Sequence, residues 1–175
     1  MDILVYWTQF DFDEWTVTLA ATEKGLCYVG LAEKSLEHMK DWTKRFDNKE
    51  LKEDETKLEV YTSRFIEYFS GKATGFSKLS LDLKGTPFQL QVWEALQRIP
   101  YGEIVTYSKI AEQIGKVSSV RAVASAIGKN PILIAVPCHR VISKSGGLSG
   151  YRDGMEHKSN LLQLEKSSLI SDRTE

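Results

Sequence analysis

Apolar and polar positions alternate over the first thirty residues with the period of a strand. Residues 2–8 and 15–21 are rich in Val, Ile, Thr, Trp and Tyr, and 26–32 (Leu-Cys-Tyr-Val-Gly-Leu-Ala) follows a Thr-Glu-Lys-Gly turn. This pattern predicts a small antiparallel sheet. From residue 35 the spacing lengthens to that of a helix. Leu36, Met39, Trp42 and Phe46 share one face over 35–46, and Leu58, Tyr61, Phe65 and Phe69 do so over 57–69. The segment between them, 47–56, is almost entirely charged and reads as a surface loop. Gly71, Gly75, Gly85 and Pro87 then bracket one short strand candidate, Leu79–Leu83, in a connection that ends near Gly85-Thr86-Pro87.

The second half reads as mostly helix. Phe88, Val92, Leu96 and Ile99 form an apolar stripe stopped by Pro100-Tyr101-Gly102. A second helix is expected over about 107–114, with Thr106 as N-cap and Gly115 as the break. A third runs from Ser118 or Ser119 to Ile127, with Val120, Val123, Ala124 and Ile127 toward the core, and Lys129-Asn130-Pro131 ends it. A continuous apolar run, 132–136, leads into Pro137-Cys138-His139-Arg140-Val141. A Gly/Ser-rich loop at 143–150 and a last helix over about 155–166 complete the chain. The expected class is α+β: a supporting α/β lobe with an antiparallel sheet at 1–84, a mostly helical lobe at 85–170, and a tail at 171–175. Neither half could bury a large core alone.

Composition narrows the classes without naming one. The 175 residues are 42 % hydrophobic and 27 % charged, close to soluble globular averages, which excludes a disordered, collagenous or coiled-coil chain. No apolar run reaches the ~18 residues of a membrane span, and the start lacks the basic lead of a secretory signal. Two cysteines, Cys27 and Cys138, are too few for a disulfide framework, so a reducing cytoplasm is expected. Charge is informative once divided by position. Residues 1–105 carry 13 basic and 18 acidic residues, whereas 106–152 carry seven basic residues against Glu112 alone. A local basic patch on an acidic chain suits a polyanionic partner.

That window has the proportions of a helix-turn-helix over 107–127. If the third helix buries its apolar side, its outer face presents Ser118, Arg121, Ala122 and Ser125. One arginine among small residues lets a helix backbone press close to its target. This suits minor-groove contact or replacement of an extruded base better than major-groove readout. Cys138 differs from Cys27, which sits on an expected strand and reads as a small core residue. Cys138 lies just beyond the apolar run, stiffened by Pro137 and followed by His139, Arg140 and Lys144. Neighbouring cations would favour a nucleophilic thiolate at the mouth of a cleft. Adjacent Cys and His cannot face each other directly, so the imidazole would act through one water, with a carboxylate such as Glu165 to orient it.

Pro137-Cys138-His139-Arg140-Val141 resembles the active-site motif of the O6-alkylguanine-DNA alkyltransferases. Gly85-Thr86-Pro87-Phe88-Gln89, Val92-Trp93, Ile99-Pro100-Tyr101-Gly102-Glu103, Thr106-Tyr107, Arg121-Ala122-Val123, Asn130-Pro131, Gly150-Tyr151-Arg152 and Leu161-Leu162 through Glu165 continue the likeness in order. It is dense over 85–166 and loose before. The resemblance implies a winged-helix-like lobe that binds duplex DNA in the minor groove, rotates O6-alkylguanine out of the stack and passes the alkyl group once, irreversibly, to a cysteine. By position, Cys138 is the expected acceptor, His139 the base acting through water, Glu165 its orienter, and Asn130 the residue holding the turn. Arg121 would fill the vacated stack, and Tyr107 would lie against the phosphate and the base. Tyr151 would wall the pocket, the Arg152 N–H would meet O6, and the Cys138 and Val141 carbonyls would accept from the exocyclic amine. Ser108, Lys116, Ala122, Ser125 and Lys144 join them as DNA-contact candidates.

Two departures bear on this reading. Some relatives carry a structural zinc on two cysteines and two histidines, but the first lobe here has only Cys27 and His38, so no metal or other cofactor is expected. Arg152 stands where some relatives have serine, which bears on pocket size. The expected protein is a monomer acting on double-stranded DNA, with no membrane partner. The alternatives are a lesion-binding alkyltransferase-like protein without transfer, against which Cys138 argues, and a helix-turn-helix regulator, for which no dimerisation helix is evident.

Overall fold

Two tight turns, the first with Asp13 in the left-handed region (φ 48°), fold the N-terminal strands into a meander. It comprises β1 (Ile3–Phe12), β2 (Trp15–Thr22) and β3 (Gly25–Gly30), paired antiparallel as the alternation predicts. The computed structural model describes residues 2–72, 75–148 and 150–174, with side chains through Leu169. The chain divides into two compact units, Met1–Leu83 and Lys84–Glu175.

In the first unit the sheet order is β3-β2-β1-β4, and the fourth strand corrects the sequence reading. The charged segment expected as a loop contains β4 (Lys49–Glu53), which pairs parallel with β1, so the sheet is mixed. Only Leu51 turns an apolar side chain toward the core, and the remaining charges face solvent. An edge strand needs no more than that, and exposed charge guards it against pairing with other chains. Helix α1 (Ser35–Trp42) continues into a 3-10 turn (Thr43–Arg45) and lies on the sheet. Val5, Ala20, Tyr28, Met39 and Phe46 close around Cys27, which is fully buried. Helix α2 (Glu59–Phe69) buries Phe65, Tyr68 and Phe69 in an aromatic cluster with Trp15 and Phe76. The 79–83 segment is no separate strand. It makes a single bridge, with Leu26 donating to the Ser80 carbonyl and Asp82 donating to the Leu26 carbonyl.

In the second unit, helix α3 (Pro87–Gln97) starts on a capping box. Gln89 N donates to Thr86 Oγ1, and Thr86 N donates to the Gln89 side chain, with Pro87 pre-setting the first turn. Strand β5 (Val105–Thr106) leads into α4 (Tyr107–Gln113), whose Lys109 N–H is capped by Thr106. Gly115 (φ 71°) makes the turn, and a 3-10 turn (Val117–Ser119) opens α5 (Val120–Gly128). The buried face of α5 is Val123, Ala126 and Ile127. Val120 and Ala124 are only half-buried, so the helix is rotated from the expected face. Trp93 Nε1 donates to the Ala126 carbonyl and ties α3 to α5. Strand β6 (Val141–Ile142) pairs parallel with β5, and α6 (Met155–Thr174) runs beyond the expected end at 166. Ser149, in the expected loop, and Glu175, in the expected tail, lie outside the described residues. No described helix is long and apolar enough to cross a membrane.

Gly25 shows how closely the 79–83 segment presses on β3. Its φ is 149°, and a Cβ there would stand 2.4 Å from the Ser80 carbonyl oxygen. Both strain and a backbone clash oppose any side chain. We expect Gly25→Ala to lower unfolding free energy by about 3 kcal/mol in denaturant titration. An unchanged midpoint would show that the segment yields.

Candidate active site

The apolar run 132–136 is neither strand nor helix, because Asn130 folds it into a tight turn. Asn130 is buried. Its Oδ1 accepts from Ile132 N at 2.9 Å, and its Nδ2 donates to the Val136 carbonyl at 2.8 Å. Inside this clasp Ile134 is held at φ 72°, a strained conformation for a β-branched residue. Pro137 follows, and Cys138–Arg140 form a single 3-10 turn leading into β6. The Asn130 side chain also sits beside the Cys138 thiol and favours its ionised form. The sulfur is therefore seated by the residue that shapes the turn before it.

His139 and Arg140 point to one carboxylate. Glu165, buried on α6, bonds His139 Nε2 through Oε2 and accepts from Arg140 Nε at 2.7 Å and from Gly102 N at 3.0 Å through Oε1. Arg140 Nη1 also donates to the Ile99 carbonyl at 2.7 Å, and the guanidinium lies over the Tyr101 ring. Burial alone would raise the Glu165 carboxyl. Hydrogen bonds and charge from His139 and Arg140 instead hold it at about 2. Burial keeps His139 below the usual histidine range despite Glu165. The pair is thus a carboxylate and a neutral imidazole that donates from Nε2. His139 Nδ1 is left as a buried acceptor with no hydrogen-bond partner among the described residues.

The surroundings of Cys138 correct the expected electrostatics. Burial pushes the thiol up, against the opposing pull of the Asn130 hydrogen bond and the charges of Arg152 and Lys158. Cys138 is 6 % exposed, so the resting sulfur is a shielded thiol, not a thiolate standing in a cleft mouth. The expected cations are not those that act. Arg140 is turned to Glu165, and Lys144 is exposed on the loop after β6. Lys158 is buried on α6 and donates to the Val141 carbonyl at 2.6 Å. Arg152 Nη1 donates to the Asn130 carbonyl at 3.0 Å. Tyr151 is buried beside Cys138, and its hydroxyl has no hydrogen-bond partner among the described residues. The Tyr107 hydroxyl reaches the same loop, 4.0 Å from where a Gly150 Cβ would be.

The fold therefore gathers Cys138, His139, Asn130, Glu165, Val141, Tyr151 and Arg152, with Tyr107 at the loop. It keeps Lys116, Arg121, Ala122 and Ser125 apart, exposed on the helix-turn-helix, and Ser108 half-buried in the first turn of α4. Sequence reasoning missed Lys158 and the structural part played by Arg140. The signal for Lys158 was its spacing: with Leu161 and Glu165 it recurs at the helical period on the buried face of α6. Among the described residues, no group of three or more His, Cys, Asp or Glu side chains could hold a metal ion.

Comparison with known proteins covers both units. The family model described as "6-O-methylguanine DNA methyltransferase, ribonuclease-like domain" matches residues 5–83, and that of the DNA binding domain of the same methyltransferase matches 87–167. A Bacillus subtilis protein named "Methylated-DNA--protein-cysteine methyltransferase, inducible" is 48 % identical over 163 residues, 93 % of this chain and 90 % of that one. The crystal structure of Mycobacterium tuberculosis O6-methylguanine methyltransferase superposes with a TM-score of 0.82 at 40 % identity, covering 94 % of each chain. The Mycobacterium tuberculosis protein in complex with DNA gives 0.79 at 39 %, again over 94 % of each.

The Glu165 network carries a pH signature. Its carboxyl ionises near 4.5 ordinarily and at about 2 in the fold, so its stabilisation is complete above pH 4.5 and fades as pH falls toward 2. Glu165→Gln strands Arg140 without its counter-charge and should cost about 3 kcal/mol at neutral pH. It should also flatten the acid limb of the stability curve. Wild-type stability with an unaltered acid limb would disprove the coupling.

Proposed function

Since the chain belongs to the methylated-DNA–protein-cysteine methyltransferase family, we propose that it repairs DNA by direct, single-turnover transfer of the alkyl group of O6-alkylguanine to Cys138. The observation that carries the assignment to this sulfur is its seat: Cys138 beside Asn130, next to a neutral His139 whose Nδ1 is unengaged and whose Nε2 is anchored on Glu165.

The chemistry follows from that arrangement. The Cys138 proton passes to His139 Nδ1, relayed by a water, and Glu165 stabilises the imidazolium that forms. Arg152 and Lys158 favour the thiolate once the proton has left. The Sγ–carbon bond forms as the bond from that carbon to O6 breaks. The electron pair goes to guanine, which departs with one proton, so a thiol and an O6-alkylguanine become a thioether and guanine. Tyr107 supplies a donor to the charge developing on the ring, and the Arg152 N–H meets O6. Val141, its carbonyl fixed by Lys158, and the Cys138 carbonyl accept from the exocyclic amine.

A target base inside the stack cannot reach a sulfur this enclosed, so it must first be extruded. The exposed side of α5, with Arg121 standing above the small residues Ala122 and Ser125, fits a minor groove, and Arg121 would occupy the hole. Lys116, Ser108 and Lys144 would meet phosphates, a sequence-blind contact suited to a protein that must bind anywhere. We take the protein to act as a monomer in the cytoplasm, where thiols such as Cys138 stay reduced.

The deciding experiment is the intact mass after incubation with duplex DNA containing O6-methylguanine. One methyl per molecule should appear, on the peptide holding Cys138. Cys138→Ala should take up none while binding DNA within about threefold of wild type, since the sulfur contributes little contact area. Methyl uptake by that variant would move the acceptor elsewhere. Arg121→Ala should slow transfer from the duplex by about tenfold or more, with little effect on free O6-benzylguanine, which needs no extrusion. Equal loss on both substrates would remove Arg121 from base extrusion.

A further inference from the structure

The loop that carries Tyr151 passes through two glycines in left-handed conformations, Gly150 (φ 57°) and Gly154 (φ 105°), before α6 begins. Glycines restrain backbone weakly, so the position of this loop depends on what its side chains hold. Arg152 holds the acceptor turn. Its Nη1 donates to the Asn130 carbonyl at 3.0 Å, while its Nε faces the buried Asp153 carboxylate at 3.4 Å. The Asn130 side chain is already committed to Ile132 and Val136, beside the Cys138 thiol. Its backbone carbonyl is where a second segment can grip that residue without disturbing the clasp.

Building on the repair reading above, we propose that the Arg152 side chain is a positioning and specificity-determining residue: by gripping the Asn130 carbonyl it fastens the Tyr151 loop to the Cys138 turn and so fixes the space left for the alkyl group. The rigid fork of arginine can span the two segments while paired with Asp153. A serine at this position could not reach the carbonyl. The loop would then be held by less, the Tyr151 wall could recede, and larger adducts would gain relative to methyl. The guanidinium also belongs to the small set of groups facing the sulfur, with Lys158 from α6, the Tyr151 phenol and the Asn130 amide, beside the His139–Glu165–Arg140 network.

The test uses the full chain and three variants, Arg152→Ser, Arg152→Gln and Arg152→Lys. Single-turnover rates are measured with O6-methylguanine duplex and with free O6-benzylguanine. The pH profile of Cys138 alkylation by iodoacetamide is followed by peptide mass. Arg152→Ser should slow methyl transfer about tenfold, raise the benzyl-to-methyl rate ratio about threefold or more, and move the iodoacetamide profile to higher pH. Arg152→Gln, which keeps a donor without the charge, should share the pH shift but hold the ratio nearer wild type. Arg152→Lys should keep the pH profile. Wild-type rates, ratio and profile in the serine variant would overturn the inference, as would an equal loss on both substrates with the profile unmoved. A wild-type protein that accepts no methyl would sink the repair reading instead, and the iodoacetamide profile would still test Arg152.

Discussion

A single buried carboxylate organises the chemistry of the second unit. Glu165 joins α6 to the acceptor turn through His139 and Arg140, and to the Ile99–Gly102 turn through the Gly102 amide. Arg140 closes the circuit on the Ile99 carbonyl. Burying such charges is expensive, and an apolar core of the same volume would often be as stable. What the ion pair supplies is direction. A hydrophobic contact could hold α6 against the turn, but it could not fix the plane of an imidazole or leave one chosen nitrogen open. The same turn runs on into β5 and then Tyr107, so the carboxylate that holds His139 also helps register the start of α4.

Asn130 is the complementary fixture. It clasps the run that precedes Cys138 from the other side, and the left-handed Ile134 shows that the clasp outweighs local preference. Between Asn130 and Glu165 the Cys138–Arg140 turn has little freedom. Burial keeps the thiol protonated at rest, which protects it from stray electrophiles. The nearby charges are arranged for the ionised form. Arg140 faces Glu165 and Arg152 faces Asp153, while the Lys158 ammonium donates to the Val141 carbonyl, and Arg152 and Lys158 both favour the ionised sulfur. The thiol is thus held protonated among groups that favour its ionised form.

Local chemistry was readable in the sequence wherever it acts over a few residues. Thr86 and Gln89 announce the start of α3, Thr106 that of α4, and the alternation over 2–32 gives the meander. The resemblance of Pro137–Val141 and its companion segments carried the candidate site, and Cys138, Asn130, His139 and Glu165 come together in the fold. What stayed hidden depends on partners distant in sequence. β4 is a strand because β1 offers an edge, not because Lys49–Glu53 has any strand pattern of its own. Arg140 beside Cys138 looked like an activator of the thiol, yet a partner 25 residues away claims it. Lys158 goes unremarked in the sequence reading, and α6 turns it inward. The thiol misreading has the same origin: proximity along the chain exposes cations, but only the fold reveals desolvation.

The contrast between the two faces of this unit follows from a reagent used once. A turnover enzyme must reopen, release product and restore its nucleophile. A protein that accepts one alkyl group has no such requirement. It can enclose its sulfur and let Asn130 and Glu165 hold the turn, while the exposed side of α5 presents Arg121, Ala122 and Ser125. The basic window is divided by the fold, part of it exposed on α4 and α5 and part turned inward around the Cys138 turn. One stretch of positive charge thus lies in two dielectric environments: Lys116 and Arg121 stand outside, Arg140 is committed to Glu165, and Arg152 is held against the Asn130 carbonyl.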